Sequence, residues 1–250
     1  MDEDIRVPGA PWGFWWTTAF AILIAAVYLI VALLPAGLLI AARYPGESVE
    51  SASRLIQSTV SEGIYLATVS IATALICGGL ICLFVKLRKG IKISGYLAFK
   101  PLPSAALLKW LGVVMLLWAL SDLTGLALKR DIVPPFMIKA YSTAGNLAVF
   151  WLGIALAAPV FEELFFRGFI FAGWSASRLG PVSTIFLTAA LWASIHQQYD
   201  LYDIAVIGAT GVALGAARLK TGSLYMPILM HCLQNVIATT EVWIVARTAG

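Results

Sequence analysis

The stretch GNLAVFWLGIALAAPVFEELFFRGFIFAGW, residues 145–174, is apolar over nearly its whole length, yet it carries Glu162, Glu163 and Arg167 near its centre. A transmembrane helix needs about 20 largely apolar residues, and this run exceeds that. An ionisable side chain inside such a helix costs roughly 2.5–3.5 kcal/mol on insertion scales, so three of them together mark a functional hypothesis. Pro159 lies just before the pair and predicts a kink or a break there. The run therefore reads either as one long kinked helix or as a short span followed by a second helix carrying Phe161-Glu162-Glu163-Leu164-Phe165-Phe166-Arg167.

The rest of the chain supports a membrane setting. Hydrophobic residues make up 60% of the 250 positions and charged residues only 12%. A soluble domain carries about 25% charged residues, too many more for this chain to have a soluble surface. The net charge of +4 is modest and its basic residues are scattered among apolar runs. That pattern suits loops flanking a bilayer better than a nucleic-acid groove, and no nucleic-acid partner is expected. Cys77, Cys82 and Cys232 lie in apolar runs without Cys-x-x-Cys spacing and read as small buried hydrophobes.

Working outward, apolar runs cover about 14–42, 63–85, 105–128, 181–195, 204–217 and 224–245. The first opens on Trp12-Gly13-Phe14-Trp15-Trp16, which reads as an interfacial aromatic anchor. It is too long for a signal-peptide core, and the acidic start Met1–Arg6 is unlike a signal, so it is read as a retained span. The stretches 43–62 and 129–142 read as polar links, with Pro134-Pro135 expected to end any helix in the second. The loop holding Lys86, Arg88, Lys89, Lys92 and Lys100, with Pro101 and Pro103, is placed in the cytoplasm by the positive-inside rule, although Lys129, Arg130 and Lys139 would then lie outside. Seven or eight helical segments are expected, in an all-α, polytopic transmembrane bundle. Residues 1–144 supply N-terminal helices and loops, 145–247 the functional core, and the whole forms one integral membrane domain.

Helical geometry divides the charged motif. Adjacent residues point about 100° apart, so the two carboxylates do not share one role. Glu163 and Arg167 are four apart with Glu first, the favoured ion-pair orientation. Glu162 is then free to face a cavity as a general base. His196 ends an apolar run with Trp192 one turn before it on the same face. His231 and Asn235 are also four apart and share a face of the last span, where together they can donate to a developing oxyanion. Each of these alone is as well explained by helix packing. Together, a carboxylate, a second acid/base group and an oxyanion clamp suit attack of water on an amide carbonyl. Two His and one Glu also form a familiar zinc set, Glu162, His196 and His231. No cofactor is expected, since His-Glu-x-x-His is absent, and zinc is kept as the alternative. Gly211 and Gly215, with Gly208 one turn earlier, predict close helix packing in the penultimate span.

These motifs, Glu162-Glu163-x-x-x-Arg167, Trp192-x-x-x-His196 and His231-x-x-x-Asn235, resemble those of the CPBP intramembrane proteases, the family of CAAX prenyl endopeptidases and bacteriocin-processing or self-immunity proteins. The resemblance covers about 146–237; Trp192 stands where a Phe is usual. It implies a multi-pass endopeptidase of the bacterial cell (inner) membrane. Glu162 would activate water, His196 assist, His231 and Asn235 stabilise the oxyanion, and Glu163 and Arg167 support them. The partners implied are the lipid bilayer and a peptide or membrane-protein substrate. A non-catalytic scaffold or immunity protein that binds a peptide remains a competing reading, as does a small transporter or proton relay, for which no internal repeat is visible.

Overall fold

The computed structural model describes residues 10–248 apart from Pro103. The acidic stretch Met1–Arg6 and Pro103 of the basic loop lie outside the described residues. The helices are α1 (Phe14–Arg43), α2 (Val49–Val60), α3 (Gly63–Leu87), α4 (Ile93–Tyr96), α5 (Ser104–Ala127), α6 (Pro135–Ser142), α7 (Leu147–Ser175), α8 (Gly180–Ser194), α9 (Leu201–Thr221) and α10 (Tyr225–Thr248). Six of them, α1, α3, α5, α7, α9 and α10, are long and apolar enough to cross a membrane. The protein is an all-α polytopic bundle. With 15 residues, α8 spans only about 22 Å, short of a hydrocarbon core of about 30 Å.

Ten helices are described rather than seven or eight, and the extra ones fall in stretches read as links. The side chain of Ser48 caps α2 by accepting from the Ser51 N–H at 3.2 Å. Pro135, expected to stop a helix, instead begins α6, because the first turn needs no N–H from it. Aromatic residues at the start of α1 also divide. Trp15 is 80% exposed, as an interfacial anchor would be. Trp12 turns inward instead and donates from Nε1 to the Phe84 carbonyl at 2.9 Å. Cys77 is buried, while Cys82 and Cys232 are half-buried; all three are free thiols.

Two prolines inside spans are accommodated by side chains from elsewhere. At Pro35 of α1 the hydroxyl of Tyr65 enters the helical ladder, accepting from the Ala36 N–H at 3.1 Å and donating to the Ala32 carbonyl at 2.9 Å. At Pro159, α7 is continuous. Its turns widen to five-residue hydrogen bonding over Leu152–Ala157 and again over Leu164–Ile170, on either side of the regular turn Ala158–Glu163. In the wide register, the N–H facing the Ile154 carbonyl would come from position 159, a proline without one. Asn235 of α10 supplies the donor instead, Nδ2 to the Ile154 oxygen at 2.8 Å.

Loop contacts sort the bundle into two ends. At one end, Arg88 Nε donates to the Ala10 carbonyl at 3.0 Å and Ser223 Oγ to the Lys100 carbonyl at 2.6 Å. This end gathers the segment before α1 and the α3–α5, α7–α8 and α9–α10 connections. At the other, Lys139 Nζ donates to Ser61 Oγ at 2.7 Å and Arg130 pairs with Asp200. That end gathers α2, α6 and the α8–α9 connection. Between the ends, Ile24, Ile81, Phe169, Leu214 and Met230 form a fully buried core joining α1, α3, α7, α9 and α10. Small residues set the closest approaches. A Cβ on Gly153 of α7 would lie 2.5 Å from the Ala67 carbonyl oxygen of α3, and one on Gly211 of α9 only 3.0 Å from Ala189 Cβ of α8. The close packing expected at Gly211 and Gly215 is therefore made against α8.

Candidate active site

The regular turn between the two widened stretches of α7 presents Glu162 and Glu163 in opposite settings. Glu163 and Arg167 are both 0% exposed. Arg167 Nη1 donates to Glu163 Oε1 at 2.8 Å, across the four-residue spacing read from the sequence. Its Nη2 donates to the Gly211 carbonyl at 3.0 Å, and its guanidinium lies 4.9 Å from the centre of the Trp192 ring. Arg218 Nε of α9 donates in turn to the Arg167 carbonyl at 3.1 Å. Burying a charge is tolerable only when it is paired, and these contacts pair both charges, although Arg167 Nε and Glu163 Oε2 are buried without a hydrogen-bond partner.

His231 joins this buried pair. Its Nδ1 is 2.9 Å from Glu163 Oε1. A carboxylate paired with a guanidinium has no proton to give, so Nδ1 is the donor, and in the neutral ring Nε2 is left as an acceptor. Nε2 faces the other glutamate, 4.0 Å from Glu162 Oε2. That separation is beyond a direct hydrogen bond and suits a bridging water.

Glu162 opens on a cavity of about 880 Å³ whose wall also holds Trp192, His196, His231 and Asn235. The volume is at the upper end of the roughly 300–1,000 Å³ usual for ligand sites. Trp192 Nε1 donates to Glu162 Oε2 at 2.5 Å. The same indole meets His196 and His231 edge-on, with ring centroids 5.2 and 5.0 Å away. His196 Nδ1 is 2.7 Å from the Trp192 carbonyl, so it donates there and leaves Nε2 as the acceptor of the neutral ring. Asn235 lines the cavity with one amide hydrogen committed to Ile154, leaving the second.

The sequence-derived set is thus divided. Glu162, His196, His231 and Asn235 share one cavity wall, while Glu163 and Arg167 lie behind it. Two links were not visible in the sequence: the indole N–H on Glu162 and the Glu163 oxygen on His231. Trp192 stood out only as an aromatic one turn before His196; its position where Phe is usual was the available signal, since only an indole donates. Zinc would need Glu162, His196 and His231 converging on one ion. Among the described residues, no three His, Cys, Asp or Glu side chains are grouped so as to hold a metal ion.

Comparison with known proteins bears on the same segment. Residues 144–237 match the family model described as type II CAAX prenyl endopeptidase Rce1-like. The match holds all six motif residues and supports the resemblance to the CPBP and CAAX protease family. An "Uncharacterized 24.3 kDa protein" of Escherichia coli is 29% identical over 165 residues, covering 61% of this chain and 70% of that protein. No solved structure matches the chain.

Proposed function

We propose that the protein is an intramembrane endopeptidase that hydrolyses a peptide bond of a peptide or membrane-associated protein with a water activated by Glu162. One observation carries this reading: of two adjacent glutamates, one is neutralised in the dry interior and the other faces a cavity shared with two histidines and an asparagine. A family match alone would not distinguish them.

Glu162 takes a proton from the water as its oxygen adds to the carbonyl carbon. Trp192 holds the carboxylate in one orientation during this step. The second amide hydrogen of Asn235 is available to the oxyanion, and His231, its ring held by Glu163 at Nδ1, adds a donor from Nε2 when that nitrogen carries a proton. Glu162, assisted by His196, returns the proton to the leaving amine as the C–N bond breaks. The environment is the cell membrane of a bacterium, and a CAAX-type substrate is the class the family match suggests.

The substrate need not be identified for the test. Peptide N-termini in membranes from cells making the native protein are compared with those from cells making Glu162→Gln at equal abundance. A set of termini present only with the native protein is expected. Identical sets would overturn the peptidase reading and favour a scaffold that binds peptide in the same cavity.

A further inference from the structure

Between Thr18 and Arg43, the only side chain of α1 that carries a polar atom is Tyr28. By helical rise it lies about 21 Å from either end of the helix, far from the interfaces where tyrosine is enriched in membrane spans. Thr17, Ala21 and Ile24 are buried and mark the inward stripe of α1, and Tyr28 continues that stripe one turn after Ile24. Its 37% exposure is therefore directed to the interior, where Tyr28 lines the same cavity as Glu162.

Two relations place the phenol beside the base. Its ring stacks on Phe161, the residue before Glu162, with centroids 5.7 Å apart and planes 9° from parallel. Its hydroxyl lies within electrostatic reach of the Glu162 carboxylate but is not hydrogen-bonded to it. Among the described residues that hydroxyl has no hydrogen-bond partner. The other phenol on the cavity wall, Tyr199, donates to Met137 Sδ at 3.2 Å. A phenylalanine at position 28 would make the same stack without an unpaired hydroxyl at mid-membrane depth, which carries a cost. The hydroxyl is thus the part of Tyr28 that packing does not explain.

With both imidazoles neutral, the second amide hydrogen of Asn235 is the one free donor among Trp192, His196, His231 and Asn235. A developing oxyanion is held better by two donors than by one. We infer that Tyr28 is a further catalytic residue, its hydroxyl donating a hydrogen bond to the scissile carbonyl oxygen as negative charge gathers there. The inference rests on the peptidase reading and deepens it. The phenol keeps its proton throughout, while the water oxygen bonds to the carbonyl carbon and the water's proton passes to Glu162. Tyr28 lies outside residues 144–237, so an N-terminal helix supplies a group that the family-matched segment does not contain.

Tyr28→Phe tests this because it keeps the ring on Phe161 and deletes only the donor. Detergent-solubilised membranes from cells making the Glu162→Gln protein supply uncut polypeptides. Purified full-length native protein or Tyr28→Phe is added, and the rate at which new peptide N-termini appear is measured beside the melting temperature of each protein. Tyr28→Phe is expected to cut at the same bonds about a hundredfold more slowly, the usual effect of losing one oxyanion donor, with its melting temperature unchanged. A rate near that of the native protein would overturn the inference and leave the peptidase reading standing. A slower rate matched by a lower melting temperature would overturn it as well, by reducing Tyr28 to packing. No new termini from the native protein would overturn the peptidase reading and this inference with it.

Discussion

Glu162 and Glu163 are neighbours in the chain, but they occupy the wet and dry sides of α7. On the dry side, Arg167 meets Glu163, the Gly211 carbonyl and the Trp192 face, with His231 closing the network. On the wet side, Glu162 has one indole N–H and a cavity. A charge in the first setting depends on each partner because no water can replace one. A charge in the second is free to exchange protons with a substrate. Trp192 belongs to both sides, with its ring face on Arg167 and its N–H on Glu162.

The sharpest way to break the contrast is to remove one dry-side partner. Arg167→Ala leaves Glu163 buried without its guanidinium and should destabilise the protein by about 3–5 kcal/mol. Thermal unfolding in detergent would show this, whereas Glu162→Gln should unfold near the native temperature. A melting shift for Glu162→Gln as large as for Arg167→Ala would abolish the distinction between the two sides.

Next in size is the packing that brings α7 against α3. Gly153→Ala places a methyl group 2.5 Å from the Ala67 carbonyl oxygen, and an overpacking cost of about 1–3 kcal/mol is expected. The same melting experiment detects it; a native-like melt would show that the helices part easily here.

Trp192→Phe keeps a ring over Arg167 and deletes only the donor to Glu162. A hydrogen bond to a charged group contributes about 1.5–3 kcal/mol. Turnover should fall by about tenfold or more with substrate KM nearly unchanged, and the melting temperature should drop by less than for Arg167→Ala. A change in KM alone would assign Trp192 to substrate binding rather than to positioning Glu162.

The smallest effect lies at the start of α9. Arg130 hydrogen-bonds Asp200 and holds its carboxyl below the ordinary carboxylate value. Asp200 also caps α9 by accepting from the Tyr202 and Asp203 N–H groups. A depressed acid contributes its stability above the ordinary pKa of about 4 and loses it as pH falls through the lower folded value. Hydrogen exchange at the start of α9 should therefore stay slow at neutral pH and quicken only in strong acid. Asp200→Asn should remove that acid dependence.

The long spans were legible because a bilayer demands an unbroken apolar run that local composition reveals. Glu163 with Arg167 was legible for a similar reason, since both lie on one helix at a spacing that fixes their contact. The links α2 and α6 were missed because their helicity comes from a Ser48 cap and from Pro135 at a first turn, not from an apolar run. The seating of Asn235 on Ile154 joins positions far apart in sequence. It follows from a proline whose missing N–H shows only in the five-residue register.

The widened turns of α7 also fix an angular phase. A regular helix advances about 100° per residue, and a wide turn absorbs residues without that advance. Deleting one residue within Leu152–Ala157 would restore regular winding and swing the N-terminal part of α7 relative to the glutamates. Either Gly153 would leave Ala67, or Glu162 would turn from the cavity. The length of that stretch, counted in residues, is thus as much a part of the site as the side chains it aims.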